Sequence, residues 1–137
     1  MTQLKQRFIL IDDDNISNLL TKMILKKAFD GAEVLIFTVA EEGLSYIKSD
    51  VESTYAYEKT VLLLDINMPT LSGWEFLEEF KLFEEALQEH YEVYIHSSSI
   101  NVTDRKLAKE NPLVMDYLEK PLNKEKFVTL LSKEMDN

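Results

Sequence analysis

The chain has 137 residues, of which 45% are hydrophobic, and this content predicts one globular domain with a substantial core. It contains no cysteine and only two histidines, which excludes disulfides, thiolate metal sites and histidine-rich sites. Its formal net charge of -10 argues against direct binding of nucleic acid, because the summed field repels phosphate backbones.

The chain begins with "MTQLKQRFILIDDD", in which a short apolar run ends in three acids. This pattern is neither a signal peptide nor a membrane span. We therefore expect a cytoplasmic protein with no membrane insertion.

Five apolar runs of strand length alternate along the chain with five segments of helical period. The apolar runs cover residues 7–11, 32–38, 60–65, 91–97 and 114–119. The helical segments cover residues 15–29, 40–49, 73–88, 103–111 and 123–135. The first helix carries one apolar stripe, made of Ile16, Leu19, Leu20, Met23 and Ile24. On the third helical segment, one face is apolar and carries Phe76, Leu77, Phe80 and Leu87. Asn123 is the expected N-cap of the fifth.

The strict alternation of strand and helix predicts a parallel sheet with helices on both faces. The expected fold class is therefore α/β, doubly wound. The polar stretch "SDVESTYAYEK", residues 49–59, is expected to be a loop.

Polar residues follow four of the five predicted strands. They are Asp12, Asp13 and Asp14 after the first, Asp65 after the third, Ser97 and Ser98 at the fourth, and Glu119, Lys120 and Pro121 at the fifth. Ligands of open α/β sheets bind outside the carboxyl ends of the strands, so we expect these side chains to converge.

Neighbouring first and third strands would bring Asp12, Asp13 and Asp65 close together. Like charges ~4 Å apart at an effective dielectric of ~20 repel by about 4 kcal/mol per pair, so the cluster needs a cation or a proton. Oxygen ligands without histidine or cysteine favour Mg²⁺. A carboxylate beside Mg²⁺, with the Lys120 ammonium and a serine hydroxyl nearby, is also equipped to accept a phosphoryl group.

The segments "FILIDDD", "LLLDINMPTLSG", "VYIHSSS" and "DYLEKPL" together resemble the response regulator receiver domain of two-component signalling, of the chemotaxis-receiver kind. The resemblance covers nearly the whole chain. It implies a flavodoxin-like, five-stranded parallel sheet in the order 2-1-3-4-5, in a single receiver domain, residues 1–137, with no output domain.

The resemblance also implies a role for each matching residue. Asp65 would be the phosphoacceptor, and the metal ligands would be Asp12, Asp13, Asp65 and the backbone carbonyl of Asn67. Ser97 and Lys120 would stabilise the phosphoryl group, with Ser98 as the alternative hydroxyl, and Tyr117 would be the aromatic switch.

The function implied is a signalling switch, not an enzyme with an external substrate. A histidine kinase or a histidine phosphotransfer protein would supply the phosphoryl group, Mg²⁺ would be the cofactor, and the aspartyl phosphate would change the face of the fourth helix, fifth strand and fifth helix for a separate downstream protein. One alternative is a receiver-like interaction module that works without phosphorylation. Another, a phosphohydrolase, would need an acid where Asn67 stands.

Three further residues have structural interpretations. We expect Asp14 to start the first helix, and His96 to be a satisfied or surface histidine. Trp74 is expected to be core or helix surface, with a partner contact as the alternative.

Overall fold

A computed structural model describes residues 5–50 and 57–135 of the chain. Five parallel strands form one sheet in the order β2-β1-β3-β4-β5, which is the order that the resemblance implies. The strands are β1 Lys5–Ile11, β2 Glu33–Phe37, β3 Tyr57–Leu64, β4 Tyr91–Ser97 and β5 Val114–Glu119. The helices are α1 Asn15–Ala28, α2 Ala40–Ser49, α3 Gly73–Phe80, α4 Glu85–Glu89, α5 Val102–Glu110 and α6 Lys124–Met135.

Two of the predicted segments differ from the structure by more than two residues. Residues 57–59, expected in a loop, belong to β3, and residues 51–56 of that loop lie outside the described residues. The third predicted helix is two helices, α3 and α4, so the fourth and fifth predicted helices are α5 and α6.

The break between α3 and α4 is stabilised by the side chain of Gln88. Its amide donates to the carbonyls of Lys81, at 3.0 Å, and Phe83, at 2.6 Å. These bonds satisfy carbonyls at the end of the helix. The turn also brings the ring of Phe83 to 5.7 Å from that of Phe80.

The sheet is buried on both faces, each by its own hydrophobic cluster. One cluster packs Ile9, Leu62 and Ile95 against α3, and the other packs Leu10, Leu63 and Tyr94 against α1 and α6. Among the described helices, none combines the length and apolar composition that crossing a membrane requires.

Except for its last residue, which packs against the core, the apolar stripe of α1 lies on the exposed side of the helix. Ile16 is 73% exposed, whereas Asn18, Thr21 and Leu25 are buried. The Asn18 amide donates to the Asp12 carbonyl at 2.8 Å, and this bond turns the polar face of α1 toward the end of β1.

A buried ion pair joins four elements at the amino-terminal side of the sheet. Arg7 of β1 pairs with Asp50, which follows α2, and donates to Thr60 of β3 at 2.8 Å and Tyr46 at 3.3 Å. The hydroxyl of Tyr91 of β4 also donates to Asp50, at 2.5 Å. Burial and this bond raise the pKa of Tyr91, so it stays a neutral donor.

Removal of one partner from this pair should strongly destabilise the domain. Asp50→Asn leaves the Arg7 guanidinium buried without its charge partner, and we expect a loss of about 3–5 kcal/mol in the free energy of unfolding. Urea denaturation measures the loss. The control is Glu119→Gln, which breaks the exposed pair of Arg105 and Glu119 and should cost less than about 1 kcal/mol. An equal loss of unfolding free energy in the two variants would contradict the stabilising role of the buried ion pair.

Candidate functional site

Parallel pairing brings the acids that follow β1 and β3 to one edge of the sheet. Ile11 pairs with Leu64, and the amide of Asp65 donates to the Ile11 carbonyl at 2.9 Å. Carboxylate oxygens of Asp12, Asp13 and Asp65 lie within 4.8 Å of one another. The predicted convergence of the three acids is therefore found.

Among the described residues, the cation that reaches this cluster is Lys120, which directly follows β5. The Lys120 ammonium donates to Asp12 at 2.5 Å and lies 3.7 Å from an oxygen of Asp65. The amide of Lys120 donates to the carbonyl of Ser97 at 3.0 Å. One ammonium faces three carboxylates, so the ion pairs leave most of the repulsion among the acids uncompensated.

The excess of negative charge affects the pKa of the Asp65 carboxyl group. Burial first, and then the charge of Asp12, raise this pKa to about 6 against the opposing effect of Lys120. Asp65 is only 7% exposed, so water does little to screen it. A bound divalent cation would favour the ionised form.

The orientation of Asp12 is fixed by α1. Its side chain accepts from the amide of Asp14 at 2.9 Å, and its carbonyl accepts from Asn18. Asp14 is the N-cap of α1, as predicted, and accepts from the amides of Ile16 and Ser17. No sequence pattern singles out Asn18, because asparagine in a helix normally faces solvent.

Gly73 permits the close approach of α3 to the acid cluster. A Cβ at this position would lie 2.5 Å from the carbonyl oxygen of Asp65 and 3.0 Å from the Cα of Ile66. The Gly73 amide donates to the Ile66 carbonyl at 2.8 Å. The glycine that closes the loop after Asp65 is therefore required by packing.

The hydroxyl residues at the end of β4 differ in burial. Ser97 is 1% exposed, whereas Ser98 is exposed. The Ser97 hydroxyl accepts from the amide of Ser99 at 3.1 Å. Tyr117 is half-buried, and its hydroxyl donates to the Ser99 carbonyl at 2.7 Å.

His96 departs from the sequence-based expectation. It is 4% exposed, and its Nε2 has no hydrogen-bond partner among the described residues, so it is neither a surface histidine nor a fully satisfied one. Burial first, and then the charge of Lys120, lower its pKa to about 4. His96 is therefore neutral near pH 7.

A family model for the response regulator receiver domain matches residues 8–132. The chain belongs to this receiver family. Receiver domains are signalling switches in phosphorylation-based pathways whose phosphodonors are in general histidine kinases.

Individual relatives agree with this assignment. Chemotaxis protein CheV2 of Helicobacter pylori is 33% identical over 106 residues, a match that covers 76% of this chain and 31% of that protein. The chain thus spans about a third of the length of that relative.

Two crystal structures superpose closely on this receiver domain. A response regulator receiver protein from Dyadobacter fermentans is 26% identical with a TM-score of 0.85, over 95% of this chain and 98% of that one. A two-component response regulator from Cytophaga hutchinsonii is 25% identical with a TM-score of 0.84, over 98% of this chain and 100% of that one.

The donor set of the receiver domain fits a hard divalent cation. Asp12, Asp13 and Asp65 offer carboxylate oxygens alone, and receiver domains typically bind Mg²⁺ at such an acidic pocket. Asp13 is exposed and can meet a hydrated ion, while Asp12 and Asp65 are buried. Asn67, in the loop after Asp65, is exposed as well.

The raised pKa of Asp65 should make the metal-free domain less stable as the pH rises. The folded domain holds the Asp65 proton up to about pH 6, whereas the unfolded chain releases it near 3.8. The free energy of unfolding should therefore fall as the pH rises between these values. Asp65→Asn should flatten this dependence and raise stability at pH 7.

Urea denaturation in chelator at pH 5 and pH 7 measures this effect. The matched control is Asp30→Asn, which neutralises an exposed aspartate in a turn outside the acid cluster. If Asp65→Asn and Asp30→Asn changed stability at pH 7 by the same amount, the cluster would not be under electrostatic strain.

Proposed function

We propose that this receiver domain is a phosphorylatable switch in which Asp65 accepts a phosphoryl group from a phosphohistidine donor, with Mg²⁺ as cofactor. The observation that supports this most is the convergence of Asp12, Asp13 and Asp65 with the Lys120 ammonium at one edge of the sheet. The donor is a histidine kinase or a histidine phosphotransfer protein.

The residues that would hold the cation are Asp12, Asp13, Asp65 and the backbone carbonyl of Asn67. When bound, Mg²⁺ would supply charge neutralisation for the oxygens of the transferred group. Asp13 would bind it directly from the exposed side, and Asp12, already held by Lys120, would help to hold it through water.

In the transfer itself, a carboxylate oxygen of Asp65 attacks phosphorus as the bond from phosphorus to the histidine nitrogen of the donor breaks. The electron pair of that bond stays with the donor imidazole. The Lys120 ammonium lies 3.7 Å from Asp65, within reach of the transferred oxygens. The Ser97 hydroxyl would donate a hydrogen bond to one of them.

The product adds a charge of about -1.5 to -2 beside Lys120. Ser97 would turn its hydroxyl from the Ser99 amide toward the phosphoryl group, and Tyr117 would adjust with it because its hydroxyl is bonded to the Ser99 carbonyl. Tyr117 therefore acts as the aromatic switch. The switch works through a change in packing and hydrogen bonding.

The surface that would change is the face of α5, β5 and α6, which binds the downstream protein. A groove of about 650 Å³ lies between α5 and β5 and includes Tyr117. Val102 and Met115 are exposed at 79% and 43%, and Lys106 and Lys109 also line the groove. Exposed apolar residues rimmed by charge are typical of protein interaction sites.

The direct test is intact-protein mass after incubation with acetyl phosphate and Mg²⁺. We expect one phosphate adduct on the wild type, none on Asp65→Asn and none in chelator. Asp13→Asn should need on the order of tenfold more Mg²⁺ for the same adduct. The control is Asp14→Asn, which keeps the helix cap and should react like the wild type.

An adduct that survives Asp65→Asn or chelation would refute the assigned acceptor or the need for a metal. If the wild type took no phosphate from acetyl phosphate or from a phosphorylated histidine kinase, the phosphorylation-independent interaction module would replace this proposal.

A further inference from the structure

The carboxylate of Asp104, on α5, hydrogen-bonds both to α3 and to the connection between β4 and α5. The switch proposed above does not link these two segments. Asp104 accepts a hydrogen bond from the Trp74 indole nitrogen at 3.2 Å and another from the Ser99 hydroxyl at 2.8 Å. Trp74 is the second residue of α3, and Ser99 lies in the connection between β4 and α5. We call this pair of bonds the Asp104 bridge.

Ser99 is hydrogen-bonded to both proposed switch residues, Ser97 and Tyr117. Its amide donates to the Ser97 hydroxyl at 3.1 Å, and its carbonyl accepts from the Tyr117 hydroxyl at 2.7 Å. Its own hydroxyl donates to Asp104 and accepts from the amide of Asn101 at 3.2 Å. A displacement of the Ser97 hydroxyl therefore acts directly on Ser99, which precedes α5.

Asp104 is not explained by the ordinary role of an acid in the first turn of a helix. The N-cap of α5 is Asn101, which accepts from the amide of Thr103 at 2.8 Å. Both oxygens of Asp104 are instead used by donors outside α5. Hydrogen bonds to an ionised carboxylate are roughly twice as strong as neutral ones, so the bridge constrains Ser99.

We propose that Asp104 is a positioning residue of the switch, which ties Ser99 to Trp74 so that a displacement of Ser97 is transmitted to α3 as well as to Tyr117. This inference rests on the proposed function, because the displacement comes from the phosphoryl group on Asp65. It adds α3 to the elements that respond to the phosphoryl group, beside the face of α5, β5 and α6.

The side chain of Trp74 can report on the bridge directly, because it is the single tryptophan of the chain. The probe is Mg²⁺ with beryllofluoride, which mimics a phosphoryl group on an aspartate. Bound beryllofluoride is followed by ¹⁹F NMR, and Trp74 by its emission and by its indole ¹H–¹⁵N resonance. The two readouts separate occupancy of the site from the response of α3.

The decisive variant is Ser99→Ala, which removes the hydroxyl of the bridge without removing an atom that contacts Trp74. We expect beryllofluoride to shift the Trp74 signals of the wild type, and this shift to fall at least by half in Ser99→Ala and in Asp104→Ala. The double variant should lose no more than either single variant. The control is Glu110→Ala, an exposed acid of α5, which should keep the full shift.

A merely structural bridge would leave the beryllofluoride response of Trp74 intact in Ser99→Ala, and that result would overturn the inference while the proposed function stands. If the wild type binds beryllofluoride with no change in the Trp74 signals, the inference is likewise overturned and the proposed function stands. Absence of a bound ¹⁹F signal in the wild type would overturn the proposed function, and this inference with it.

Discussion

The repulsion among three carboxylates at the carboxyl ends of β1 and β3 is the constraint on which the rest of the structure depends. Oxygens of Asp12, Asp13 and Asp65 lie within 4.8 Å of one another, and one ammonium, from Lys120, faces them. The pKa of Asp65, raised to about 6 by burial and by Asp12, is the local consequence. Such a cluster costs stability without a divalent cation, and binding of one, as proposed, would account for it.

The fold supplies the rigid frame that holds these charges together. Lys120 bonds Asp12 through its side chain and Ser97 through its amide, so the cation of the site is fixed to both β1 and β4. Gly73 lets α3 begin against the backbone of Asp65. At the other end of the sheet, the buried pair of Arg7 and Asp50 joins β1 to the end of α2. The acids are thus held on elements that cannot separate to relieve the repulsion.

The convergence of the acids could be predicted because it follows from a local pattern, whereas the sheet order came from the resemblance to receiver domains. Strand ends are visible as apolar runs that stop at a polar residue, as at Asp65. The exposed stripe of α1 could not be predicted, because periodicity does not say which face of a helix meets the sheet. The burial of His96, in β4, depends on the elements that pack over that strand, which no local pattern shows. The Asp104 bridge was missed for a related reason, since its partners are 30 and 5 residues away and no pattern links them.

The most direct test of this account is a calorimetric titration of Mg²⁺ into the domain at pH 7. We predict one ion per chain, with affinity unchanged in Asp14→Asn and lowered on the order of tenfold or more in Asp13→Asn and Asp65→Asn. Binding of equal strength in Asp65→Asn, or no binding to the wild type at millimolar Mg²⁺, would contradict the claim that the acid cluster is maintained for a divalent cation.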